Sequence, residues 1–229
     1  PSRVLREFCP TLCLSSMPDV DIALLEGSAF GAYVAMPPSK RGPGLIVIQE
    51  IFGVNDVMRK TCDLFAAQGY IAVCPDLFWR KERNVRLTGR TPEDLAHAFE
   101  LFKSFDVEDG VRDLISVLGY IRKMDGCSGK VGAVGYGLGG RLAFLMAARS
   151  DVDATVSYYP TDLDRNLDEI HDVGMPLLLH FGALDNGMSP EKRIRIMHGL
   201  ARNQIVMART YESAERGFAL AGEKKYNKE

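Results

Sequence analysis

The 229-residue sequence has no long apolar run; nothing in it approaches the roughly 20 residues a helix needs to cross a bilayer. Its first stretch, PSRVLREFCPTLCLSS, has neither the apolar segment of a secretory signal nor a small-residue cleavage site, so a cytoplasmic protein is expected. An excess of one charge sign is missing too. Lys and Arg total 28 against 30 Asp and Glu, a formal net charge of −2 with no basic or acidic block. That removes the electrostatic footprint of a nucleic-acid binder or of a protein held on an anionic membrane. Cysteine is sparse and odd in number: Cys9, Cys13, Cys62, Cys74 and Cys127 are scattered, which argues against a disulfide framework. No Cys/His pair follows Cys9-x3-Cys13 at zinc spacing, and no histidine–carboxylate spacing suggests a metal, so reduced thiols and no metal are expected. Internal repeats, low-complexity tracts and long linkers are absent.

What is present is an alternation of short apolar runs with helical patterns. Residues 1–20 read as loosely structured, and residues 1–25 as a lead-in segment to the domain. Strands are predicted at GAYVAMP (31–37), LIVIQ (45–49), YIAVCPDLF (70–78), KVGAVGY (130–136), ATVSYYP (154–160), MPLLLHFGALD (175–185) and IVMARTY (205–211). Helices are predicted between them: one after the cap Asn55 and ended by Gly69, one opened by Thr91-Pro92-Glu93-Asp94, one over 107–124, one over 138–149 and one over 189–201. In the second of these, Leu95, Phe99 and Phe102 share one face. Strands alternating with helices mean an α/β fold, here a single domain with a mostly parallel sheet and helices on both faces. Ligands of such folds lie at the carboxyl ends of the strands.

One stretch of glycine stands out. Gly135-Tyr136-Gly137-Leu138-Gly139-Gly140 lies between a predicted strand and a predicted helix. As GxGxxG it is a weak dinucleotide signal: the acid required at the end of the next strand is met only by Asp162, just beyond Pro160. As G-x-Nuc-x-G it fits the strained strand-to-helix turn that presents a nucleophile, except that the central residue, Gly137, has no side chain. No cofactor is expected.

These stretches together resemble the dienelactone hydrolases, α/β-hydrolase-fold enzymes that open cyclic enol-lactones. LIVIQEIFGVNDVMRKTCDLFAAQGYIAVCPDLF is similar to the family's strands around the Q-E-I-F-G loop, and KVGAVGYGLGGRLAFLMAA to its elbow, usually G-Y-C-L-G-G. LLLHFGALDNGMSP resembles the segment carrying the catalytic aspartate, and YESAERGFA the one that usually reads Y-x-x-A-x-H-x-F. The likeness runs from about residue 26 to 220, so the resemblance implies an α/β-hydrolase fold.

The departures bear on function. The resemblance places the family's nucleophilic cysteine at Gly137 and its histidine base at Arg216. It retains the aspartate as Asp185 and the Q-E-I-F-G glutamate as Glu50. The two arginines that grip the substrate carboxylate fall at Leu95 and Leu220, with Arg80, Arg90 or Arg141 as candidate replacements. Without a thiol no acyl-enzyme forms, and a guanidinium is no general base. What survives is an oxyanion hole implied at the N–H groups of Leu138 and Ile51, the positive end of the helix behind Gly137, and Glu50 beside apolar Ile51 and Phe52, where desolvation favours the protonated form. Phe52 and Trp79 are counted as further substrate contacts, although core packing explains Trp79 equally well.

The expected function is action on a small carbonyl- or lactone-type metabolite. Glu50 would serve as acid or base in proton transfer, tautomerisation, decarboxylation or carboxylate-assisted hydrolysis, with Asp185 and Arg216 beside it. The alternative is an inactive binder of a small molecule, in which Glu50 only braces its loop and Asp185 and Arg216 form an inert pair. His180 reads as a satisfied core histidine and His97 as solvated. LAGEKKYNKE, after Ala219, is too polar to cover a sheet face. Either the chain is shortened there or a partner subunit covers that face, a homodimer being the second expectation.

Overall fold

The structure is a computed structural model that describes residues 19–24, 27–221 and 225–227. Its eight strands are β1 (Val20–Ala23), β2 (Ala29–Ala35), β3 (Gly42–Ile48), β4 (Ile71–Pro75), β5 (Cys127–Tyr136), β6 (Ala154–Tyr158), β7 (Leu177–Gly182) and β8 (Val206–Tyr211). They form one sheet in the order β1-β2-β4-β3-β5-β6-β7-β8. The pairs β1/β2 and β2/β4 are antiparallel and the rest parallel. Among the described residues five α-helices lie between the strands: α1 (Asp56–Ala67), α2 (Pro92–Ser104), α3 (Val107–Arg122), α4 (Leu138–Arg149) and α5 (Pro190–Leu200).

The central strands read as unbroken apolar runs because both sheet faces are covered. All five residues of β4 are buried. On one face Ile46, Ile48 and Val73 meet Leu114 and Leu118 of α3 and Leu142 and Phe144 of α4. On the other, Val47, Ala72 and Cys74 meet Met58, Cys62 and Ala66 of α1, with Phe218 and Leu220 alongside. The expected helix starts are capped as their side chains suggest: Asn55 Oδ1 accepts from the Met58 N–H and Thr91 Oγ1 from the Asp94 N–H, each at 3.1 Å.

Most of the stretch expected to be loosely structured lies outside the described residues, as do residues 25–26; Val20–Ala23 form β1 against β2, a strand the sequence does not predict. This four-residue strand buries only Ile22. One buried residue leaves no periodicity to read, and the strand exists because β2 supplies its hydrogen-bond partners. At the other end, β8 is the last strand or helix among the described residues.

Candidate active site

Strand β5 ends at Tyr136 and α4 begins at Leu138, so Gly137 alone makes the turn, at φ 56° and ψ −110°. A side chain there is strained. The turn is tight because of its flanking glycines. A Cβ on Gly135 would overlap the Gly139 carbonyl oxygen, and one on Gly139 would overlap the carbonyl oxygens of Ile48 and Gln49. The start of α4 is therefore pressed against the end of β3, which brings the loop holding Glu50 to the elbow. Buried Gln49 fixes that loop: its Nε2 donates to the Glu50 carbonyl and its Oε1 accepts from the Leu77 N–H, both at 3.2 Å.

Asp185 stands just past the end of β7 with a side chain only 2% exposed. Its Oδ1 accepts from the Gly187 N–H at 2.8 Å and from Arg216 Nε at 3.2 Å. Arg216 also donates from Nη1 to Thr161 Oγ1 at 3.2 Å, and its guanidinium lies 5.7 Å from the centre of the Tyr159 ring. Three contacts, one from the segment after β7 and two from the segment after β6, thus hold the guanidinium in one place.

These groups meet at the elbow. A Cβ on Gly137 would lie 3.1 Å from Glu50 Oε1 and 3.6 Å from Arg216 Nη1. The space that a nucleophile would occupy is bounded by a carboxylate on one side and a guanidinium on the other. Leu138, as the first residue of α4, has no intrahelical acceptor for its N–H, and the helix adds a partial positive charge there.

Above the elbow opens a cavity of 540 Å³. Its lining includes Glu50, Ile51, Phe52, Gly137, Leu138 and Arg216, six residues singled out in the sequence. Asp185 sits behind Arg216 rather than in the lining. Trp79 lies elsewhere: its ring stacks on Phe30 at 5.7 Å and its Nε1 donates to Asp113 of α3 at 2.8 Å. The chain leaving β4 turns this indole toward α3, away from the elbow. None of Arg80, Arg90 and Arg141 lines the cavity: Arg80 pairs with Asp113, Arg90 is exposed, and Arg141 Nε donates to Asn166 at 2.8 Å. Leu95 is on the cavity wall, whereas Leu220 is buried beneath the site.

Sequence reasoning missed what the stripe on α2 faces. The helix buries Ala98 and Leu101, while Leu95, Phe99 and Phe102 form the apolar wall of the cavity, Phe99 remaining 50% exposed. Thr161, Gly187 and Lys225 also line it. Thr161 follows the end of β6, where such folds place ligand contacts, and that was its one signal. His180 is away from the cavity: buried in β7, it stacks on Tyr158 at 4.4 Å, and its Nδ1 is 2.8 Å from the Tyr211 hydroxyl. Burial, helped by the charge of Arg209, pushes its pKa down to about 4. His97, 38% exposed at its side chain, pairs with Glu82 at 2.8 Å.

The sequence pattern of the dienelactone hydrolase family matches residues 30–229. The chain belongs to that family. A carboxymethylenebutenolidase of Pseudomonas putida is 39% identical over 200 residues, covering 87% of this chain and 85% of its own. A protein of Azospirillum brasilense assigned as a carboxymethylenebutenolidase is 43% identical over 208 residues, 90% and 89% of the two chains. Among solved structures, a Klebsiella pneumoniae protein assigned as a dienelactone hydrolase superposes with a TM-score of 0.80 at 25% identity, over 92% of this chain and 91% of that one. The fold is accordingly that of a dienelactone hydrolase-like α/β hydrolase, with the elbow at Gly137 and the carboxylate–guanidinium pair in front of it.

Proposed function

We propose that this member of the dienelactone hydrolase family acts on small carbonyl or lactone compounds by non-covalent proton transfer, with Glu50 as the acid–base group. The observation that carries this reading is the convergence of Glu50 Oε1 and Arg216 Nη1 on the empty Cβ position of Gly137. A carbonyl bound there has its oxygen beside the Leu138 N–H and the guanidinium, and its α-carbon beside the carboxylate. Glu50 takes the α-proton, the C–H electron pair moves into the carbonyl, and the enolate oxygen is held by the two donors. Return of the proton from Glu50 to a different atom completes a tautomerisation. With a lactone bound, the same carboxylate can instead activate a water for attack on the carbonyl. Glycine at the elbow suits both routes, since the space of a nucleophile becomes space for substrate or water.

A second reading is a binder without turnover. It is favoured by the Arg216–Asp185 contact, which ties up the aspartate that would orient a histidine base.

The test is exchange of α-protons of 2-indanone and 2-coumaranone with D2O, followed by NMR, together with hydrolysis of 2-coumaranone. The wild-type protein is expected to accelerate at least one of these, and Glu50→Gln to slow it about 100-fold or more, the usual scale of a lost acid–base group. Wild-type turnover that Glu50→Gln leaves intact refutes the role of Glu50. Binding with no turnover by the wild type favours the second reading.

A further inference from the structure

We propose that Thr161 is a positioning residue of the site: it joins the elbow to the Arg216 guanidinium and so sets where that cation stands over Gly137. The kinetic consequence rests on the proton-transfer reading, whereas the placement of the guanidinium does not.

The segment leaving β6 is bonded to both backbone polar groups of the elbow residue. The Gly137 N–H donates to the Tyr158 carbonyl at 3.1 Å, and the Gly137 carbonyl accepts from the Thr161 N–H at 3.0 Å. The chain takes an unusual path between these two bonds. Tyr159 and Asp162, neither of them glycine, stand at φ 36° and 52° on either side of Pro160 and Thr161. Non-glycine residues persist in this region only where their surroundings hold them, and they cluster at ligand sites. Tyr159 is so held: it is fully buried, and its N–H donates to the His180 carbonyl at 2.8 Å. Thr161 therefore reaches the cavity, which it lines, on a fixed backbone.

Its hydroxyl is bonded to the part of Arg216 that faces the elbow. Nη1 is the Arg216 atom nearest the Cβ position over Gly137, at 3.6 Å, and Nη1 donates to Thr161 Oγ1 at 3.2 Å. Asp185 bonds a different nitrogen, Nε, also at 3.2 Å. A guanidinium held at Nε alone can swing about that bond. Bonds to two nitrogens of the planar group fix both its position and its plane. What this requires of residue 161 is an acceptor oxygen: serine keeps it, whereas valine has the shape of threonine without it.

The experiment uses the full chain labelled with 15N, with Arg216→Leu to assign the Arg216 signals. The first readout is rotation of the guanidinium, followed by NMR at low temperature as exchange between its Nη–H signals. Wild type and Thr161→Ser are expected to rotate slowly at Arg216, and Thr161→Val several-fold faster. Thr161→Ala is expected to match Thr161→Val and replaces it if that variant does not fold. The second readout is α-proton exchange of 2-indanone. Thr161→Val should lower kcat about tenfold with KM within about twofold, because a misplaced donor is felt by the charged enolate more than by the bound ketone, and Thr161→Ser should restore kcat. A purely structural role would lower stability without moving rotation or separating kcat from KM. Unchanged rotation in Thr161→Val overturns the proposal, as does a Thr161→Ser that behaves like Thr161→Val. Wild-type exchange that Thr161→Val leaves intact overturns it too. If the wild type does not exchange 2-indanone, the proton-transfer reading fails, and rotation by itself decides the role of Thr161.

Discussion

Replacing Arg216 with leucine tests whether the pair at the elbow contributes to the fold. Asp185 is 2% exposed at its side chain and accepts from two donors, the Gly187 N–H at 2.8 Å and Arg216 Nε at 3.2 Å. Arg216→Leu removes the second and, among the described residues, leaves a dehydrated carboxylate with one hydrogen bond and without its ion-pair partner. Breaking a fully buried pair in this way costs about 3–5 kcal/mol. Here the arginine side chain is 30% exposed, so water reaches the gap and screens part of the loss. A cost of about 2 kcal/mol follows. In a chain of this size that corresponds to a fall in Tm of about 4–8 °C. Urea unfolding of the wild type, Arg216→Leu, Asp185→Asn and the double variant closes the cycle. The double variant should recover more than half the loss, because no charge is then left without its partner. Stability of Arg216→Leu within about 0.5 kcal/mol of wild type, with no coupling to Asp185, would show that the contact carries nothing and that the reasoning from burial is wrong.

Two further outcomes follow from particular residues. The His180 pKa is pushed from an ordinary 6.5 to about 4, first by burial and then by Arg209, so on acidification the unfolded chain binds this proton before the folded one does. The contribution is fully present above pH 6.5 and is lost as pH falls from there to about 4, by at most about 3 kcal/mol; His180→Gln should flatten urea stability measured across that window, and an unchanged slope refutes the assignment. Gly137→Ala places a Cβ at φ 56°, 3.1 Å from Glu50 Oε1, and should cost about 1–3 kcal/mol while displacing the carboxylate and slowing any Glu50-dependent turnover. A neutral or stabilising alanine would mean the elbow is not strained.

Much of the architecture is legible in the sequence because the signals are local. The caps at Asn55 and Thr91 act within three residues, and the helix over 138–149 follows directly from the glycines that let it start against β3. β1 was not legible, since its backbone partners belong to β2 and only Ile22 reaches the core. The stripe on α2 shows the opposite case. Periodicity identifies a face of Leu95, Phe99 and Phe102, but it says nothing of what that face meets, and it meets a cavity. Trp79 was misplaced for a related reason. Its position after a strand puts it near the end of the sheet where ligands bind, while the direction of its side chain is set by Asp113 on α3, 34 residues away.

By itself the sequence determined which side chains stand at two positions: residue 137 has none and residue 216 carries a guanidinium rather than an imidazole, whatever the fold. It also determined the alternation that makes a parallel sheet, because burial on both faces writes itself as continuous apolar runs. Only the tertiary structure decided that Glu50 and Arg216 line one cavity with Asp185 behind the guanidinium, that Thr161 also holds that guanidinium, and that α2 turns hydrocarbon toward it. Those contacts join residues 31 and 55 positions apart. No local propensity encodes them; they arise because the packed sheet brings the carboxyl ends of its strands to one edge, and charge and burial then settle which side chains meet there.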